Sequence, residues 1–290
     1  MLKKFFKIAN HTFSITTNGE DVMDIIPNFK PFETESNEEC LFSITLDNSI
    51  QPCWRGSRVG NFPCPSATFE VYRLEDGAYQ ILIMKENDIP CAFLQSDADF
   101  REFTLTTRGN RADRTFGLDN ALMVTFTMCT AAHKTLLMHS SVVENSGKAF
   151  MFLGVSGQGK STHSDKWVEF INGSTLINDD NPVIRISDNG EPIVYGSPWS
   201  GKRPIYRNVC YPIGGIATIE QSKENRMHKE SIPIAFSIML CSCSTLKFDK
   251  KIHMNICSTI TGILERLPVY TLFCRPDEDA AKVSSSTFGI

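Results

Sequence analysis

A chain of 290 residues and 32.5 kDa, 41% hydrophobic and 21% charged, can bury one large core or two smaller ones, and its composition excludes a disordered tail or a disulfide mini-protein. Twenty-nine Lys and Arg against 33 Asp and Glu leave a net charge of −4, which argues against general electrostatic attachment to nucleic acid or to an anionic membrane. No apolar run approaches the ~20 residues that span a bilayer. The basic opening, residues 1–7, runs into polar Asn10, His11 and Thr12 without an apolar stretch or a small-residue cleavage site, so a cytoplasmic protein is expected.

The first hundred residues read as strands separated by turns, at 5–8, 12–17, 41–46, 68–74, 79–84, 92–94 and 101–107. The alternation in Thr68-Phe69-Glu70-Val71-Tyr72-Arg73 predicts an antiparallel sheet with one wet face. Residues 51–66 hold three prolines and two glycines and read as a long loop or an edge. Three arginines in residues 108–114 mark a polar connector that is either solvated or in contact with phosphate. Asp119 then offers an N-cap for an apolar helix over 120–137.

From His139 the texture changes. Strands at 141–143 and 149–153 flank the turn Asn145-Ser146-Gly147, and a glycine-rich loop and a helix over 161–170 follow. A strand at 175–178, a hairpin pairing 183–186 with 193–195 and a strand at 213–219 come next. Helices at 234–246 and 253–266, the first read as buried, lead to a strand at 269–274 and a short acidic helix. This order divides the chain near residue 110 into a β-rich N-terminal domain, 1–110, with no assigned role, and an α/β domain, 111–290. Ten cysteines without a C-x-x-C pair are expected to be free and mostly buried, with Cys241 and Cys243 inside the buried helix.

Gly154-Val155-Ser156-Gly157-Gln158-Gly159-Lys160-Ser161-Thr162 satisfies the G-x-x-x-x-G-K-[ST] phosphate-loop pattern. Its glycines let the backbone curl with N–H groups turned inward, Lys160 can reach β- and γ-phosphates, and Ser161 can ligate Mg²⁺. The apolar strand before it and the helix after it are the context that the motif requires. About 20 residues on, a short strand ends in Asp179-Asp180, where a Walker-B-type carboxylate belongs. Two adjacent side chains diverge from an extended backbone, so one can serve the metal or its water while the other meets an acceptor. Trp199, Lys202 and Arg203 lie in the Gly/Ser/Pro loop 196–203, which reads equally as a closing loop with a stacking Trp199 and as plain surface.

His139, the two strands, the loop 154–161 and the Asp179-Asp180 pair together resemble the HPr kinase/phosphorylase catalytic domain, whose fold is related to the P-loop phosphoenolpyruvate carboxykinases. The resemblance covers roughly residues 135–285. It implies an α/β fold with mixed sheets, an HPr-kinase-like P-loop domain beside the N-terminal β-rich one. It also implies that His139 lies near the phosphates, that Ser161 and Asp179 handle Mg²⁺ and that Asp180 is the base. Two features differ: Ser140 stands where HPr kinases usually carry glycine, and their glycine- and arginine-rich segment for gripping HPr has no counterpart. The expectation is therefore an ATP- and Mg²⁺-dependent phosphotransferase acting on a hydroxyl of a protein, peptide or small molecule. The alternatives are a carboxykinase-like enzyme and a nucleotide-binding regulatory module without catalysis. The acceptor and any homo-oligomeric state are left open by the sequence.

Overall fold

The first two strands, β1 (Leu2–Ile8) and β2 (His11–Thr17), pair antiparallel around Ala9 and Asn10, whose φ values of 49° and 62° make the tight reversal. The computed structural model, which describes residues 1–35, 39–64 and 67–290, continues with α1 (Val22–Ile25), β3 (Glu33–Thr34), β4 (Phe42–Leu46), β5 (Ser57–Pro63), β6 (Thr68–Arg73), β7 (Tyr79–Lys85), β8 (Ile89–Ser96), β9 (Glu102–Thr107) and α2 (Arg111–Thr130). Among the described residues these nine strands pair in the order β3-β1-β2-β4-β9-β8-β7-β6-β5. The sheet is mixed rather than antiparallel throughout, because β2–β4 and β4–β9 run parallel. The crossover between β2 and β4 contains α1 and the 3₁₀ turn Pro27–Phe32. Its core is aromatic: Phe13 stacks on Phe6 and on Phe42, and Phe29 meets Phe6 edge-on. The proline-rich stretch supplies the edge strand β5, where a missing N–H costs no ladder bond; its residues 65 and 66 lie outside the described ones.

α2 starts well before the expected Asp119. Asn110 Oδ1 accepts from the Asp113 N–H at 3.0 Å, and Asp113 Oδ2 accepts from the Asn110 N–H at 3.1 Å, a reciprocal cap that opens the helix at Arg111. Asp119 is therefore inside the helix, and burial pushes its carboxyl up to about 6. The arginines read as a connector are occupied locally: Arg108 donates to the Asn48 and Ile50 carbonyls, Arg111 to the Asp24 carbonyl, and Arg114 pairs with Glu20. α2 packs across β7, β8 and β9, with Gly117 so close to β8 that a methyl there would lie 2.7 Å from the Cys91 carbonyl oxygen. The compact units consequently divide after Thr130, not near 110: Met1–Thr130 with Leu246–Lys250, and Ala131–Thr245 with Lys251–Ile290. Within the first unit, Phe248 packs on Phe62 and Tyr79, and the Tyr79 hydroxyl donates to Asp249 at 3.0 Å.

The second unit comprises β10 (Thr135–Leu137), β11 (Ser140–Asn145), β12 (Lys148–Leu153), α3 (Lys160–Phe170), β13 (Thr175–Asn178), β14 (Val183–Ile186), β15 (Pro192–Tyr195), β16 (Cys210–Gln221), β17 (Arg226–Lys229), α4 (Ile232–Ser242), α5 (Lys250–Leu264, all but its first residue), β18 (Val269–Cys274) and α6 (Glu278–Phe288). Its strands run β10-β14-β15-β16-β12-β11-β13, with β18 parallel to β16 and β17 antiparallel to β18. β12, β16 and β18 form the parallel centre, and their apolar runs supply Phe150, Phe152, Ala217 and Leu272 to the core. α3 adds Trp167 to this core, and α6 packs beside α3 with Ala280 and Ala281 buried. The Ser284 hydroxyl accepts from Trp167 Nε1 at 2.8 Å and lies 3.1 Å from His163 Nε2.

Burial holds His163 down at about 4, well below a free histidine. The unfolded chain therefore takes up this proton first on acidification. The stability contributed is full above the unfolded value near 6.5 and is lost as pH falls through 4, by about 3 kcal/mol at the acid end. Urea unfolding followed by tryptophan fluorescence at pH 7 and pH 4.5 should show that loss, and His163→Gln should shrink it. An equal pH dependence in wild type and variant would refute the assignment.

Two expectations about burial fail. In α4, Ala235 and Met239 are buried, but Ile232 is 71% exposed, so the helix is not a buried one. All ten cysteines are free, yet Cys53, Cys64, Cys210 and Cys241 are exposed while Cys91, Cys129 and Cys274 are buried. Among the described residues no helix is long and apolar enough to cross a membrane.

Candidate active site

β12 is buried between β11 and β16 and delivers the chain directly into the glycine-rich loop. Gly154, Gly157 and Gly159 take φ values of 144°, 82° and 108°, in the region where only glycine is unstrained. At Gly154 a Cβ would also stand 2.7 Å from Gln158 Oε1, which accepts the Val155 N–H at 2.8 Å and braces the loop from within. The first helical bond of α3 runs from the His163 N–H to the Gly159 carbonyl at 2.9 Å. The amides of Lys160, Ser161 and Thr162 thus fall outside the i→i−4 ladder, at the positive end of the helix. Ser156 and Gly157 are exposed at the top of the loop, Ser161 is half-buried and Thr162 exposed. Lys160 is only 7% exposed, and its ammonium donates to the Gly154 and Val155 carbonyls at 2.8 and 3.2 Å. Burial lowers its pKa, and Asp180 and Asp179 partly offset that by favouring the charged form.

His139 stands between β10 and β11, where the backbone is gripped from both sides. Its N–H donates to the Ser242 carbonyl at 2.7 Å, while the N–H groups of Met138 and Ser140 donate to the carbonyls of Pro182 and Asp180 at 3.1 and 2.9 Å. This pairing brings His139 Nε2 within 3.4 Å of Asp180 Oδ1. The contact is not an ion pair at neutral pH. Burial, with the positive charge of Lys160, holds His139 down at about 4, so the ring is neutral. Burial raises the Asp180 pKa, against the pull of Lys160 and of the Asn181 amide, which donates to Oδ2 at 2.9 Å.

Asp179 is differently placed. Its side chain is 5% exposed and both oxygens have fixed partners: Ser141 Oγ donates to Oδ1 at 2.6 Å, and Arg203 Nε lies 3.1 Å from Oδ2. Ser164 on α3 donates in turn to Ser141 Oγ at 2.7 Å. The Asn178 amide donates to Ser197 Oγ and to the Ser197 and Trp199 carbonyls, so the end of β13 anchors the loop 196–203. Trp199 is 5% exposed and packs inside, which removes it as a free stacking surface. Lys202 is exposed, whereas Arg203 is tied down.

The structure brings Lys160, His139, Asp179 and Asp180 together near the glycine loop. Ser141, Ser164, Asn178 and Asp165 were not foreseen; a serine inside the apolar run Ser141-Val142-Val143 and an asparagine closing a buried strand were the available signals. Among the described residues no cluster of three or more His, Cys, Asp and Glu could hold a metal through side chains alone.

No protein-family model matches this chain, and no curated protein matches it. Among solved structures it is similar to the Hpr(Ser) kinase/phosphatase from Coxiella burnetii, with 12% sequence identity and a TM-score of 0.29 over 52% of this chain and 86% of that one. The likeness is distant. It carries no argument about chemistry, which rests on the residues themselves.

Proposed function

We propose that this chain is an ATP- and Mg²⁺-dependent phosphotransferase that moves the γ-phosphoryl group to an acceptor hydroxyl of a protein, peptide or small molecule. The observation that carries the reading is the meeting of two devices: a glycine loop with a buried lysine, and a carboxylate, Asp180, beside a neutral histidine. The loop amides and Lys160 neutralise phosphate charge, which is most of what a protein contributes to phosphoryl transfer. Asp180 is the general base: burial raises its pKa and makes its carboxylate a stronger proton acceptor than that of a solvent-exposed aspartate. His139, its pKa held down at about 4, is a weak competitor for the acceptor proton.

The donor set suits Mg²⁺. This ion keeps several waters and takes one or two protein ligands together with phosphate oxygens. Ser161 and the Asp179 carboxylate would hold it, directly or through water, and the ion would supply further charge neutralisation. The test is a screen of γ-labelled ATP and Mg²⁺ against native cell extract with the full chain. A labelled protein or metabolite that disappears in Lys160→Ala supports the reading. Absence of both nucleotide binding and label transfer by the wild-type chain would overturn it.

A further inference from the structure

The loop 196–203 packs against the aspartate pair: the Asp179 N–H lies 3.4 Å from Ser200 Oγ and the Asn181 N–H donates to the Trp199 carbonyl at 3.0 Å. Its Gly201 lies so near Asp180 that a Cβ there would stand 3.0 Å from the Asp180 Cβ. Two residues on, Arg203 spans three elements: Nη1 and Nη2 donate to the two carboxylate oxygens of Asp165 on α3 at 2.6 and 2.7 Å, while Nε faces Asp179 Oδ2 after β13.

We propose that Arg203, anchored by Asp165, is a positioning residue that sets the direction of the Asp179 carboxylate. The proposal rests on the phosphotransfer reading and adds to it a residue outside the motif. An ionised carboxylate has about four lone-pair sites on its two oxygens. Ser141 takes one on Oδ1, and Arg203 takes one on Oδ2. Two donors, one on each oxygen, stop the carboxylate from rotating, and the remaining lone pairs point in fixed directions. Ser141 is itself held by Ser164 of α3, so both restraints trace back to the helix that begins at Lys160. The helix that carries the loop lysine thereby also sets the carboxylate, which keeps the two in register. Arginine is the residue type this needs: a planar fork binds Asp165 with two nitrogens and still presents Nε elsewhere, which a lysine cannot do.

The test is nucleotide binding, read from a fluorescent ATP analogue titrated with MgCl₂ on the full chain. Arg203→Gln should raise the half-saturating Mg²⁺ by about 10–100-fold, the usual loss when a partner of a metal-binding carboxylate is removed, with unchanged nucleotide affinity in EDTA. Arg203→Lys should fall between, since an ammonium reaches Asp179 without the fork. Asp165→Asn, at a residue half exposed on α3, should shift Mg²⁺ dependence the same way by less, and it carries the test if Arg203→Gln fails to fold. Wild-type Mg²⁺ dependence in these variants, or an equal loss in EDTA, overturns the proposal. Lys160→Ala separates the two readings: if it loses nucleotide binding while Arg203→Gln behaves as wild type, the Arg203 assignment alone falls. If Lys160→Ala binds as wild type, the phosphate-loop reading falls with it.

Discussion

Lys160→Ala should weaken ATP binding roughly 100-fold and abolish label transfer, with little change in thermal stability. The binding loss follows from two charge-assisted hydrogen bonds to phosphate at about 1.5–3 kcal/mol each, reduced by what the ammonium gives up when it leaves the Gly154 and Val155 carbonyls. Stability should change little for an opposing pair of reasons. The ammonium is desolvated in the folded chain, as its lowered pKa records, so its removal relieves a cost. The carbonyl of Val155, a residue that is 71% exposed, can turn to water once the lysine is gone. Lys160→Met keeps the apolar stem and separates lost packing from lost charge. Isothermal titration with ATP and a melting curve for each variant check both halves. Unchanged affinity in Lys160→Ala would refute the phosphate-loop reading, and a collapse of stability would show that the lysine is chiefly structural.

The parts of this site that were legible in the sequence are those whose chemistry demands particular residues at consecutive positions. Three positive-φ glycines, a lysine and a helix start fit within nine residues, so the loop could be read without a fold. The short strand before Asp179-Asp180 and the apolar run of β18 were equally local and fall where expected. Contacts made by chain reversal could not be read in that way. Nothing in Asp165, Asp179 and Arg203, spread over 38 positions, says that one guanidinium will join both carboxylates. The start of α2 was misplaced for a different reason: Asp119 is a good cap by type, but the reciprocal Asn110–Asp113 bonds satisfy two amides at once and win. The apolar sequence of α4 was read as burial. Hydrophobicity states what a residue would gain by leaving water, not whether the fold supplies a neighbour to cover it.

Asp180→Asn should leave binding of ATP with Mg²⁺ within a few-fold of wild type and slow transfer by about 10²–10⁴, the range for losing a positioned acid–base group. The amide keeps the size of the carboxylate and can still accept from Asn181, so the site should hold its shape. What it cannot do is take the acceptor proton. The pH profile gives an independent reading. A base works when ionised, so the rate should rise with pH as Asp180 loses its proton, and burial places that rise above the ordinary aspartate range. His139, held at about 4, adds no step near pH 6–7. In Asp180→Asn the acidic limb should disappear along with most of the rate. Asp179→Asn should fail differently: it keeps an oxygen for Ser141 but loses its charge toward Arg203 and toward a hard cation, so it should raise the Mg²⁺ requirement first. Single-turnover transfer rates and Mg²⁺ titrations on both variants decide between these roles. If Asp180→Asn retains full transfer, or if its acidic limb persists, Asp180 is not the base and its carboxylate serves only as a polar partner for His139 and the Asn181 amide.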